Sequence, residues 1–219
     1  IRKNSDPYLP DNLMTIPKML KQKNYVSACI GKYGIGNGQP RSDALKKGFD
    51  YHYGYNSMKH AHNYFPPFLI ENGDKTMLRN KPPENDIYQW ETGVGIAEEK
   101  IDYSPDFIER QALEFIENNE DNPFFLYYCP TLPHANNEGG TTSDGMEVDN
   151  YDIFDKKDWS PNEKGFARMV QRIDETVGKV IDKVKKLGIE EDTLILFTSD
   201  NGPHNEGGHS VTRFDSAAN

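Results

Sequence analysis

Amphipathic stretches and short apolar runs alternate along the chain, and each amphipathic stretch comes just before an apolar run. The stretches carry apolar side chains at i, i+3 and i+4, which is typical of helices with one buried face. The runs carry no charge and are typical of buried strands. Three helix-then-strand units predict an α/β fold with a mostly parallel sheet flanked by helices. The pairs are 15–23 with 25–30, 104–119 with 124–129, and 160–187 with 193–197.

The third run, Thr193–Phe197, is followed at once by a polar turn. Because the run has only β-branched, aliphatic and aromatic residues, we expect a strand that is buried on both faces. Asp200 and Asn201 come next, and ligands of open α/β sheets bind outside the carboxyl ends of the strands. Their side-chain oxygens are therefore expected in a crevice, although an ordinary Asx turn at the end of a strand has the same composition.

Polar side chains also follow the first two predicted strands. Lys32 comes after the first strand, in a glycine-rich loop, and His134 comes after the second. Turn chemistry alone does not predict an ammonium, an imidazole and a carboxylate–carboxamide pair at one edge of a sheet. We therefore expect Lys32, His134, Asp200 and Asn201 to belong to one functional site.

Residues 36–102 show no lasting periodicity and are predicted to be a long loop region rich in aromatic residues and histidine. Loops of this length are usually functional or disordered. The aromatic content between Phe49 and Phe68 favours order. Within the region, residues 75–96 are expected to form a small antiparallel excursion.

Composition narrows the class of protein. The chain has 219 residues and a formal net charge of −10, which argues against general binding to nucleic acid or to an anionic membrane surface. No stretch approaches the roughly 18 consecutive apolar residues of a membrane span, and no apolar core of a signal peptide follows Ile1. Cys29 and Cys129 lie in apolar runs and are expected to be small core residues.

Four segments, taken in order, resemble the type I sulfatases, the arylsulfatase-like branch of the alkaline phosphatase superfamily. The last segment, Asp192–Gly208, contains Asp200-Asn201-Gly202 and Glu206-Gly207-Gly208 and is the most specific. The resemblance implies the α/β fold of that superfamily and a hydrolase of sulfuric esters. The aromatic, histidine-containing loop favours a sulfated sugar or a glycosaminoglycan fragment as substrate. The other segments are Tyr25–Gly34, Gly48–Tyr55 and Pro123–His134.

The resemblance also implies roles for single residues. Asp200 and Asn201 would supply two oxygen ligands to Ca²⁺ or Mg²⁺, ions that take such ligands. Lys32 would contact the sulfate, and His134 would lie near the ester oxygen, where it could protonate the leaving group. The other residues implied as substrate contacts are Ser57, His60, His62 and His204.

The nucleophile of the resembled family is missing from the chain. That nucleophile is a formylglycine made from the first residue of C-x-P-S-R or S-x-P-S-R, and neither Cys29, Cys129 nor Ser5 begins such a motif. The paired aspartates that complete the family's metal site are also absent. We therefore expect residues 1–219 to be part of a sulfatase catalytic domain, inactive alone and with a weak or empty metal site. An incomplete sheet would expose an edge or a face and so favour self-association.

Two other functions stay open at this point. A phosphatase, phosphodiesterase or phosphonate hydrolase of the same superfamily shares the metal and the tetrahedral anion. A non-catalytic carbohydrate-binding fragment could stack sugar rings on the aromatic segment 51–68. The resemblance suits a periplasmic, secreted or lysosomal-type compartment, but the chain carries no signal that assigns one.

Overall fold

A computed structural model describes residues 9–35, 43–55, 57–84, 87–202, 204–210 and 212–214. The chain forms two compact units, Ile1–Thr131 and Leu132–Asn219. Among the described residues, no helix combines the length and the apolar character needed to cross a bilayer.

The first unit contains a five-stranded mixed sheet, which confirms the α/β class. The strands are β1 Val26–Lys32, β2 Tyr51–Tyr55, β3 Phe68–Glu71, β4 Asp74–Met77 and β5 Phe124–Cys129. Their order across the sheet is β4-β3-β2-β1-β5. Strand β1 runs parallel to β2 and β5, whereas β2–β3 and β3–β4 are antiparallel pairs. The helices are α1 Ile16–Lys21, α2 Ile87–Trp90 and α3 Ser104–Asn118.

Helix α3 covers one face of this sheet and builds the main core of the unit. Its inward side chains pack against β1 and β2; the buried members of this cluster include Ala28, Ile30, Tyr53, Tyr55, Ile108, Ala112 and Phe115. The N-cap of α3 is Tyr103, which makes no side-chain cap bond. Ser104 is the first helical residue, because its buried hydroxyl donates to the Tyr64 carbonyl (2.8 Å).

Strands β2 and β3 lie in the region that the sequence predicted to be a loop. Strand β2 reads Tyr-His-Tyr-Gly-Tyr and has no aliphatic residue, so its pattern does not look like a buried strand. It is nevertheless buried, and His52 is accommodated because its Nδ1 lies 2.9 Å from the Cys29 carbonyl. The antiparallel excursion exists, but it is the β3–β4 hairpin, which turns at Asn72–Gly73 with positive φ at both residues.

The second unit is organised by helix α4, Pro161–Lys186. A capping box begins this helix: the Ser160 hydroxyl accepts from the Glu163 N–H, and the Glu163 carboxylate accepts from the Ser160 N–H. Short 3₁₀ turns at 143–146, 152–154, 190–192 and 206–208 complete this unit.

The prediction of a buried strand at Thr193–Phe197 is wrong. The segment makes no strand pairing, and Leu194, Leu196 and Phe197 are 83%, 82% and 73% exposed. A strand that is buried on both faces needs hydrogen-bonded neighbours and a covering layer on each side. The described residues of the second unit contain no strand that could supply them.

Candidate active site

Lys32 is the last residue of strand β1, whereas the sequence predicted that the strand ends at Ile30 and that Lys32 lies in the loop after it. It lies in register with Tyr55 of the parallel strand β2. The preceding Gly31 has φ 110°, and a Cβ there would lie 2.1 Å from the Cys129 carbonyl oxygen of β5. Only glycine permits this close approach, so Gly31 brings β5 against β1 directly beside Lys32.

Ser57 and His60 are brought together by a short 3₁₀ turn, His60–His62. The Ser57 hydroxyl accepts from the His60 N–H (3.1 Å) and so fixes the start of the turn. His62 is half-buried next to it.

His60 is a core residue, which differs from the substrate contact predicted for it. The residue is 0% exposed, its Nε2 lies 2.9 Å from the Phe68 carbonyl oxygen, and its ring packs edge-on against Tyr55. Burial is the main reason that the pKa of His60 falls to about 4, so the imidazole stays neutral at physiological pH. A ligand from solvent has no access to this ring, and we do not carry His60 into the proposed site.

His134 and His204 are brought together in the second unit, with ring centroids 5.6 Å apart. The His134 Nδ1 lies 2.7 Å from the Ala135 carbonyl oxygen, so in this geometry the proton is assigned to Nδ1 and the lone pair to Nε2. The His204 Nδ1 accepts from the Glu206 N–H (3.1 Å), so its proton is assigned to Nε2. The two neighbouring rings therefore carry their protons on different nitrogens.

His209 extends this pair to three imidazoles. Its ring lies 5.8 Å from that of His204 and stacks on Phe166 at 4.0 Å with 3° between the planes. Its Nδ1 lies 2.9 Å from the Glu206 carbonyl oxygen, and burial is the main cause that lowers its pKa. The sequence offered a signal for His209, namely a histidine directly after Glu206-Gly207-Gly208.

The two glycines of this motif have a packing role. Gly207 and Gly208 have φ 76° and 79°, and a Cβ on Gly207 would lie 2.4 Å from the Met146 sulfur. The Asn162 side chain at the start of α4 donates to the Gly207 carbonyl (2.6 Å). The motif is thus a tightly packed turn between His204 and His209, whose rings lie 5.8 Å apart.

Asp200 and Asn201 are exposed and follow the unpaired segment 193–197, so they do not end a buried strand. The Ser199 hydroxyl donates to the Asn201 carbonyl (2.6 Å) and gives the turn local order. Ca²⁺ takes about six to eight oxygen ligands. Among the described residues, no group of three or more His, Cys, Asp and Glu side chains is placed to hold a metal. The described part of the chain therefore does not supply a complete metal site.

Comparison with protein families decides the class of the protein. The family model described as "Sulfatase" matches residues 2–217. The chain belongs to the sulfatase family.

Curated sulfatases are similar to it over most of this chain. N-acetylgalactosamine-6-sulfatase of Homo sapiens is 26% identical over 202 residues, which are 89% of this chain and 33% of that protein. N-acetylgalactosamine-6-O-sulfatase of Bacteroides thetaiotaomicron is 23% identical over 267 residues, 97% of this chain and 47% of that protein. This sulfatase chain thus spans about a third to a half of the length of these relatives.

Solved structures show the same fold. The crystal structure of Ps i-CgsB is 24% identical and aligns with a TM-score of 0.70, covering 95% of this chain and 44% of that chain. A Bacteroides thetaiotaomicron structure described with the metabolism of multiple glycosaminoglycans is 20% identical and aligns with a TM-score of 0.67, covering 97% and 50%. Sulfatases generally use a metal ion and a formylglycine nucleophile. The described residues of this chain do not form a complete metal site. The sequence of 219 residues does not contain the nucleophile motif.

Proposed function

We propose that the whole protein hydrolyses a sulfate ester of a sugar, with 6-sulfated N-acetylgalactosamine as the first substrate to test. Membership of the sulfatase family supports the reaction class, and the names of the curated relatives support the sugar. Within this chain, the observation that carries the proposal is the His134–His204 pair with its opposite proton assignments.

His134 is the proposed general acid for the departing sugar hydroxyl. The Ala135 carbonyl accepts from Nδ1–H and so orients the ring, and the Nε2–H of the imidazolium is the proposed donor to the ester oxygen. A poor leaving group such as a sugar alkoxide gains most from this proton. His204, with its proton on Nε2, donates to a substrate oxygen beside it.

Lys32 is the proposed anchor for the sulfate group. Its ammonium is a compact positive charge at the end of a strand buried on both faces, which suits a tetrahedral anion. Ser57 and His62 remain proposed polar contacts of the sugar.

Asp200 and Asn201 are proposed to contribute two of the oxygen ligands of a Ca²⁺ or Mg²⁺ ion in the whole protein. When bound, such an ion offsets the charge of the sulfate oxygens. Because the described residues do not complete the ligand set, no step of the mechanism is assigned to the ion here.

Rates of hydrolysis of sulfate and phosphate esters test the reaction class. The whole protein should release sulfate from N-acetylgalactosamine 6-sulfate, and Lys32→Gln should raise KM more than the surface control Lys23→Gln does. Faster hydrolysis of phosphate monoesters or phosphodiesters than of sulfate esters would contradict the proposal and favour a phosphatase or phosphodiesterase.

We also propose that residues 1–219 alone have no sulfatase activity. The sequence contains no C-x-P-S-R or S-x-P-S-R motif, so it has no residue for conversion to formylglycine. Purified chain incubated with 4-nitrophenyl sulfate should release no more sulfate than buffer does. Turnover that copurifies with the chain and is lost with Lys32→Gln would contradict this proposal.

A further inference from the structure

A groove of about 510 Å³ lies in the first unit, between the end of the β3–β4 hairpin and the first turns of α3. Its size falls in the range of small-molecule sites. None of its lining residues is among those proposed to bind or cleave the sulfate ester. It is lined by Tyr53, Glu71, Thr76, Met77, Leu78, Arg79, Asp102, Phe107, Arg110 and Gln111.

The Tyr53 hydroxyl borders the groove and makes no hydrogen bond with the described residues. The residue is 2% exposed, and its ring belongs to the core between the sheet and α3. Burial raises the pKa of Tyr53 to about 12, so the phenol keeps its proton. Because it borders the groove, this hydroxyl is available to pair with a hydroxyl of a bound ligand.

Two guanidinium groups border the groove. Arg79 donates through Nε and Nη2 to the buried Asp102 carboxylate, and the described residues give its Nη1 no partner. Arg110 lies over the Phe107 ring at 4.9 Å, and the Glu114 carboxylate is 3.8 Å from its Nε, too far for a hydrogen bond. Both side chains are mostly exposed, at 74% and 56%.

The two carboxylates that line the groove have donors of their own. Asp102 is satisfied by Arg79, and Glu71 accepts from the Tyr51 hydroxyl (2.9 Å). The unused donors of the groove are therefore guanidinium N–H groups, which can donate in pairs to two oxygens of a sulfate or of a carboxylate. Phe107 and Met77, the latter 68% exposed, add apolar surface that suits the C–H face of a sugar ring.

We propose that this groove binds one anionic sugar unit, a ring that bears a sulfate or a carboxylate, separately from the site of ester hydrolysis. The anion contacts Arg79 and Arg110, a ring hydroxyl pairs with the Tyr53 hydroxyl, and the ring lies against Phe107. This inference rests on the proposed function only in taking a sulfated polysaccharide as the natural source of the sugar. The groove would then hold a second unit of the same polymer.

Titration of the 219-residue chain, followed by NMR at residues of the groove, tests the proposal. The probes are N-acetylgalactosamine 6-sulfate, glucuronic acid, neutral N-acetylgalactosamine and inorganic sulfate. We expect saturable shifts with at least one anionic sugar and about tenfold weaker binding of the neutral sugar, the effect of one charge-assisted hydrogen bond. The sugar that binds tells whether the recognised anion is the sulfate or the carboxylate. No saturable shift with either anionic sugar, equal binding of the neutral sugar, or equal binding of inorganic sulfate would overturn the proposal.

Variants separate the groove from the rest of the chain. Tyr53→Phe and Arg110→Gln should each weaken binding about tenfold, whereas the exposed control Lys23→Gln should not. Because the described residues give the Tyr53 hydroxyl no hydrogen-bond partner, Tyr53→Phe should leave the melting temperature unchanged, so weaker binding would not reflect unfolding.

The same probes distinguish failure of the groove from failure of the proposed function. Lys32→Gln should leave binding in the groove intact, and loss of binding in that variant would overturn the groove. If the whole protein hydrolyses no sulfate ester while anionic sugars still bind here, the proposed function fails and the groove stands.

Discussion

Acidification should destabilise the first unit through His60, and this prediction tests the assignment of that residue to the core. His60 is fully buried, and its Nε2–H donates to the Phe68 carbonyl. A Cβ on the neighbouring Gly93 would lie 2.3 Å from the His60 ring, so no room exists for hydration of an imidazolium. Protonation of His60 therefore favours the unfolded chain.

The size of the effect follows from the two pKa values. The folded pKa of His60 is about 4, against 6.5 for an unburied histidine. Since the folded pKa is lowered, the stabilisation is fully present above pH 6.5 and is lost as the pH falls from 6.5 to 4. The full loss is about 3 kcal/mol, and about 2 kcal/mol of it occurs between pH 7.5 and pH 5.

Urea unfolding at pH 7.5 and pH 5, followed by circular dichroism, measures this loss. His60→Gln keeps an N–H donor for the Phe68 carbonyl but cannot take up a proton, so its unfolding free energy should fall less than that of the parent chain, by about 2 kcal/mol. His62→Gln, on the half-buried neighbour, is the matched control and should behave like the parent chain. The same pH dependence in His60→Gln and the parent chain would refute the assignment to the core.

Three further predictions concern the second unit. Ser160→Ala removes the capping box of α4 and should lower the free energy of unfolding, measured in urea, by about 1 kcal/mol. The exposed control Ser199→Ala should change this free energy by less than about 0.5 kcal/mol. Equal losses in the two variants would show that the cap contributes nothing. The double variant Leu194→Lys, Leu196→Lys should reduce self-association of the chain, because these side chains are the most exposed of the apolar segment. Sedimentation velocity measures this association, and an unchanged profile would contradict a role for the segment. Calcium titration of the chain by calorimetry should give a dissociation constant of about 1 mM or weaker. Micromolar binding that survives Asp200→Asn would show that the oxygen ligands of the calcium ion lie elsewhere.

Local signals in the sequence predicted several elements well. Helix α4 begins at its Ser160–Glu163 capping box, and β5 has the bounds 124–129 that its apolar run predicts. These features depend on residues within a few positions of each other. Strand β2 escaped prediction because its burial depends on distant partners, such as the Cys29 carbonyl that receives His52.

The candidate site was predictable only in part, for the same physical reason. Lys32 at the end of β1 follows from the strand pattern, but the fate of a histidine depends on what surrounds it in space. His60 and His62 lie two residues apart in the same aromatic segment, yet of the two only His60 is enclosed by Phe68, Tyr55 and Gly93. The stacking of His209 on Phe166 joins residues 43 positions apart and leaves no local pattern.

The exposed segment Thr193–Phe197 shows the limit of hydropathy as a guide. Its composition is that of a buried strand, but a buried strand also requires neighbouring strands to which it can hydrogen-bond. The described residues of its unit form no such strand, and the segment is exposed. Composition therefore reports what a segment can bury and does not report what is present to bury it.

The leaving-group dependence of His134→Ala tests the central claim most directly. In the whole protein, the account predicts that this variant lowers kcat for N-acetylgalactosamine 6-sulfate by about 10²–10⁴-fold, because a sugar alkoxide needs a proton to leave. The loss for 4-nitrophenyl sulfate should be much smaller, since that phenolate leaves without one. Equal losses for the two substrates, or no loss for the sugar sulfate, would contradict the role of His134 as general acid.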